Sequence, residues 1–167
     1  MILFYAFSNR WGTNISRRTL SELQKIYPSP DINYQPIFYH PSQFFRKFIE
    51  YQNYPLILGL GDYYGHTNKI HLETQAKNSY NDQPIYPFSP ILIDLSLPSV
   101  DNIDSQIFKI SSNMGISNCN WIAYRTQLYL NQKNLPTHHL FLHLPQKSNA
   151  SFLAAQISRL LQDNQII

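Results

Sequence analysis

Short apolar runs alternate along the chain with segments whose apolar residues recur at helical spacing. Ile2 to Phe7 reads as a strand, and the polar residues Ser8 to Asn14 as the loop after it. Ser16 can cap a helix reaching about Ile26, with Leu20, Leu23 and Ile26 or Tyr27 on one face, ended by Pro28-Ser29-Pro30. Gln35 to His40 forms a candidate strand. Pro41 suits the first turn of a helix that turns Phe44, Phe45, Phe48 and Ile49 inward. Pro55 to Leu60 is continuously apolar between turn signals, the pattern of a strand buried on both faces. Lys69 to Gln75 alternates like a strand, residues 76–89 are polar and proline-bearing like a loop, and Ile91 to Leu97 and Phe108 to Ser111 are further apolar segments. A helix is expected from near Cys119 to about Leu130, a strand at Leu140 to Leu144, and a last helix from Ser148 to about Gln162. The alternation predicts an α/β fold: a three-layer sandwich with a mixed, largely parallel central sheet flanked by helices. No repeat and no boundary interrupts it, so residues 1–167 are expected to form one domain.

Composition narrows the class. Charged residues make up 14% of the 167 positions, against about 25% in an average domain. Amides take their place, with 15 Asn and 13 Gln. Twelve Tyr, 10 Phe and 2 Trp supply enough apolar area to exclude disorder. The net charge of +3 invites a nucleic-acid reading, yet the basic residues are singles and pairs (Arg17-Arg18, Arg46-Lys47) rather than a stripe, so no nucleic-acid partner is expected. The N-terminus lacks a basic leader and no apolar run nears the roughly 18 residues of a membrane helix, so a cytoplasmic protein without a membrane partner is expected.

The one cysteine, Cys119, excludes an intramolecular disulfide. A lone Cys is usually a small core residue, but this one sits between Asn118 and Asn120 at the start of the expected helix, where a helix N-terminus favours a thiolate. It needs a base. His143 closes an apolar strand at a sheet edge and is the best of six histidines, with a surface role as its alternative. His138 and His139 are adjacent on a strand and point to opposite faces, so they do not share a metal, and His40 and His71 read as surface residues. Glu73 sits within Ile70-His71-Leu72-Glu73-Thr74-Gln75, either exposed on a polar face or functional.

Ser112-Asn113…Gly115…Cys119-Asn120 followed by Phe141-Leu142-His143-Leu144-Pro145 resembles the pyroglutamyl peptidase I family, the pyrrolidone-carboxylate peptidases. These cysteine peptidases remove an N-terminal pyroglutamyl residue. The family's glycine-rich loop and Glu-Arg-x-Ala-x-Asn motif correspond to Gly59 to Asn78, with Glu73, Ala76 and Asn78 in place. Phe7…Trp11-Gly12…Asn14…Ser16 echoes its N-terminal loop. The resemblance implies Cys119 as nucleophile, His143 as general base and acid, and Glu73 as the group orienting His143. It further implies Phe7, Trp11, Asn14, Asp62 and His66 as substrate-binding residues, a small peptide or amide as substrate, and no cofactor or metal. Self-association, frequent in the family, stays open.

The chain also departs from the pattern. It is shortened between Asn81 and Phe108, where only Ser99 to Gln106 stands for a full helix, and Met114-Gly115 is one residue short of the family's step. Gly65-His66 replaces Gly-Arg, Glu73-Thr74 replaces Glu-Arg, and Arg10 takes an aromatic position. The rival reading is a relative that keeps the fold and triad residues but acts as a binding or structural protein.

Overall fold

A computed structural model describes residues 1–167. Eight strands and four helices follow in the order β1 (Ile2–Phe7), α1 (Ile15–Ile26), β2 (Ile32–Ile37), α2 (Pro41–Phe48), β3 (Leu56–Tyr63), β4 (Ile70–Glu73), β5 (Gln75–Lys77), β6 (Leu92–Asp94), β7 (Phe108–Ser111), α3 (Asn118–Lys133), β8 (His138–Pro145) and α4 (Ala150–Asp163). Six strands form the central sheet in the order β2-β1-β3-β8-β4-β7, and β5 pairs with β6 in a separate antiparallel ribbon. The strands β2, β1, β3 and β8 are mutually parallel; β4 runs antiparallel to β8, and β7 follows β4. The sheet is thus mixed and mostly parallel, with helices on both faces.

The two-residue period of the strands decides which side chain enters which layer. Phe4, Leu58, Leu60, Leu140, Leu142 and Leu72 meet Leu20 and Leu23 of α1 and Leu153, Ile157 and Leu161 of α4. On the opposite face Leu3, Tyr5, Ile57 and Phe141 meet Phe44 and Phe45 of α2 and Ile122, Ala123 and Tyr124 of α3. This second layer also holds Cys119. Its helices are well terminated: Pro41 opens α2 while His40 Nδ1 accepts from Ser42 N, and Asn134 ends α3 in the left-handed conformation.

Several expectations shift. Helix α1 starts at Ile15 with Asn14 at its N-cap, so Ser16 lies inside the first turn. The second strand covers Ile32–Ile37 and not Gln35 to His40. The alternation read across Lys69 to Gln75 breaks at Thr74, because the chain leaves the sheet there and continues as ribbon strand β5, inside a stretch read as loop. No helix forms between Ser99 and Gln106. His71 is 4% exposed, a core residue and not a surface one. No helix is long and apolar enough to cross a membrane.

Candidate active site

The site assembles where β3, β8 and β4 lie side by side beneath the start of α3. In the β3–β8 ladder Gly61 is in register with His143, and in the β4–β8 ladder Glu73 is opposite Phe141 and His71 opposite His143. Glu73 and His143 therefore project from the same sheet face, one step apart along the strands. His143 Nδ1 lies 2.8 Å from Glu73 Oε1, with Glu73 fully buried and His143 6% exposed. A carboxylate at that nitrogen accepts the Nδ1–H, which leaves Nε2 as the acceptor end of the ring.

That end faces Cys119. A Cβ placed on Gly61 would lie 2.7 Å from Cys119 Sγ and 3.1 Å from His143 Nε2, so the thiol and the imidazole flank one hollow that only glycine leaves open. No hydrogen bond yet joins the two groups, as is common before substrate binds. Asn120, the residue after the nucleophile candidate, anchors the helix start. Its Oδ1 accepts from Lys77 N at 2.7 Å, and its Nδ2 donates to Lys77 O at 2.9 Å and Ser79 O at 2.7 Å. The Asn in Cys119-Asn120 thus ties α3 to the chain that leaves β5.

The electrostatics differ from the expectation of a thiolate favoured by the helix end. Cys119 is the second residue of α3, but burial, then the negative charges of Asp62 and Glu73, push its thiol up to about 12, and the local backbone N–H only partly offsets them.

A cleft of about 410 Å³ opens above Cys119. Of the residues the sequence suggested for substrate, Phe7, Asn14 and Asp62 line it. Asp62 is committed inward: its Oδ1 accepts from Ser16 N at 3.0 Å and Ser16 Oγ at 2.6 Å, and its Oδ2 accepts from Asn14 Nδ2 at 3.2 Å. Trp11 lies outside the cleft, 74% exposed with the Arg10 guanidinium 4.9 Å from its ring centre. His66 borders a separate polar depression with Gln146 and Lys147. The cleft is completed by residues that sequence reasoning did not single out, among them Tyr64, Tyr80, Asn81, Ser117 and Asn118. Tyr80 OH donates to Asn118 Oδ1 at 2.9 Å, which holds the wall together. Asn118 was detectable as the neighbour of Cys119; Tyr80 comes from the turn after β5 and carries no motif signal. No cluster of three His, Cys, Asp or Glu side chains is placed to hold a metal.

No protein-family model and no curated protein sequence matches the chain. Solved structures do. A pyrrolidone carboxyl peptidase from the keratin-degrading thermophile Fervidobacterium islandicum superposes with a TM-score of 0.80 over 99% of this chain and 97% of its own, at 20% identity. The chain has the fold of the pyrrolidone carboxyl peptidases. A mutant of the Pyrococcus furiosus pyrrolidone carboxyl peptidase gives 0.79 at 17% identity, covering 99% of this chain and 98% of its own. The Thermococcus litoralis pyrrolidone carboxyl peptidase gives 0.76 at 14% identity, covering 99% and 93%. The match runs from end to end, so the fold is shared as a whole.

Proposed function

We propose that residues 1–167 form one peptidase domain of the pyrrolidone carboxyl peptidase type, which hydrolyses an N-terminal pyroglutamyl group or a similar small amide through Cys119, His143 and Glu73. The observation that carries the reading is the line from Glu73 Oε1 through His143 to the hollow at Gly61 that also receives Cys119 Sγ. In the reaction, His143 Nε2 takes the Sγ proton as sulfur attacks the amide carbonyl. The first-turn N–H groups of α3, which have no intrahelical partner, would receive the developing oxyanion. His143 then returns the proton to the leaving amine as the C–N bond breaks. Water, deprotonated by the same nitrogen, attacks the thioester and releases the acid and the thiol. Glu73 keeps the ring in the Nδ1–H tautomer and stabilises the imidazolium that forms.

The raised thiol affinity and the positions of Trp11 and His66 outside the cleft support the rival, a binding relative without turnover. A pyroglutamyl reporter separates the two. Wild-type turnover that Cys119→Ala abolishes, with the circular dichroism spectrum unchanged, is the expected result. No wild-type turnover anywhere from about pH 6 to 9, the range in which a histidine base works, would refute the substrate.

A further inference from the structure

Two buried polar atoms beside the His143–Glu73 pair make no hydrogen bond, Glu73 Oε2 and His71 Nε2. The two residues are two apart on β4, so their side chains leave the sheet on the same face. His71 stands directly opposite His143 in the antiparallel ladder, where Cβ atoms are about 5 Å apart. Its ring lies against Tyr63 of β3 with centroids 4.3 Å apart, and the same tyrosine ring is 6.2 Å from that of His143. None of the hydrolytic steps uses His71.

We propose that His71 is a positioning residue of this site, a second imidazole that shares the buried Glu73 carboxylate with His143 and so sets the proton affinity of the ring that faces Cys119. The proposal rests on the triad reading. A fully buried carboxylate is costly to keep ionised with one hydrogen bond, and the dipole of an imidazole on the adjacent same-face residue of its own strand lowers that cost without a direct bond. One carboxylate between two imidazoles makes a coupled set whose protons bind in macroscopic steps that belong to the group. The charges facing His71 are Glu73 on β4, which favours its protonated form, Lys109 in register on β7 and His143 on β8, which oppose it, with uncharged Tyr63 from β3 and the neutral thiol of Cys119 beyond His143. Burial outweighs Glu73 and holds His71 below the ordinary histidine range. At neutral pH it therefore serves the carboxylate as a dipole, and in acid it competes with His143 for it.

The test is an imidazole NMR titration of the full-length chain. In His71→Leu the carboxylate loses the neighbouring imidazole dipole and its charge bears more strongly on His143, so the His143 midpoint should rise by about 0.5 pH unit or more, a threefold gain in proton affinity. In Glu73→Gln, which keeps the shape of the side chain, the midpoints of both rings should fall together. A His71 curve unchanged in Glu73→Gln, or a His143 curve unchanged in His71→Leu, overturns the proposal; should His71→Leu fail to fold, Glu73→Gln alone decides. Neither readout needs turnover. Linked titration in a chain that leaves the pyroglutamyl reporter intact would keep this proposal and remove the peptidase reading, and turnover with independent rings would do the reverse.

Discussion

Gly61 has no side chain at the point where thiol and imidazole meet, and its neighbours leave no room for one. An alanine Cβ would lie 2.7 Å from Cys119 Sγ and 2.9 Å from His143 Cδ2, far inside contact distance. Gly61→Ala must therefore push the two groups apart, and displacement of reacting groups by about 1 Å costs on the order of 10²-fold in rate. The expected outcome is a loss of that size in kcat/KM on the pyroglutamyl reporter, on top of an overpacking cost to stability, since the clash lies between buried groups although Gly61 does not use a left-handed backbone. Gly59, two residues earlier on the same face, makes the contrast. The rings of Tyr5 and Phe141 would stand 2.6 Å from its Cβ, so Gly59→Ala should cost about 1–3 kcal/mol of stability by overpacking, read as a shift in the denaturation midpoint. Cys119, His143 and Glu73 could be picked out because residue type and order carry them. Neither glycine's task could be, because a glycine inside an apolar run does not reveal what fills the space beside it. His71 was misplaced for a related reason: alternation separates two faces of a strand but does not say that both are covered.

Strand β3 serves two layers at once, and Asp62 is where this matters. Gly61 opens toward α3, while the next residue turns to the other face and caps α1 by accepting from Ser16 N and Oγ and from Asn14 Nδ2. A cap bond of this kind contributes about 0.5–2 kcal/mol. Asp62→Asn should lower stability within that range, measured by chemical denaturation. It should also make Cys119 easier to ionise, because the Asp62 charge is one of the causes that raise the thiol. Iodoacetamide should then alkylate Cys119 faster than in wild type at the same mildly alkaline pH, although the variant is less stable. Alkylation no faster than in wild type would show that the Asp62 charge does not hold the thiol up. The strand β3 was readable because burial on both faces leaves a continuous apolar run. The capping partner of α1 was not readable, since it lies 46 residues away on another strand. The reversal of β4 against β8, which sets Glu73 beside His143, has no local signature either: strand direction is fixed by connections across the whole chain.

At the scale of the whole molecule, the layer that holds the site also sets the range of pH over which the fold is most stable. His139, on the same face of β8 as His143, is fully buried with only Gln127 Oε1 near its Nδ1, at 3.3 Å, and burial pushes it down to about 3. Burial lowers His71 as well. The unfolded chain takes up these protons at about pH 6.5, whereas native His139 does so only near 3. Between those values the unfolded state binds more protons, so stability declines as the pH falls. The slope reaches about 1.4 kcal/mol per pH unit for one group. Cys119 acts on the other side. Its thiol ionises near pH 8.5 when unfolded and at about 12 when native, so above pH 8.5 the native state holds more protons and stability declines as the pH rises. Together they confine maximal stability to about pH 6.5–8.5. Denaturant midpoints measured across the range should show both limbs. His139→Gln should flatten the acid limb, and any change at neutral pH from repacking around Gln127 would appear as a constant offset. Cys119→Ala should flatten the alkaline limb between about pH 8.5 and 10, below the point at which Tyr5 and Tyr34, also raised by burial, begin to contribute, and leave the acid limb in place. An alkaline slope unchanged in Cys119→Ala would put the native thiol near its ordinary value, and neither burial nor the charges of Asp62 and Glu73 would then raise it.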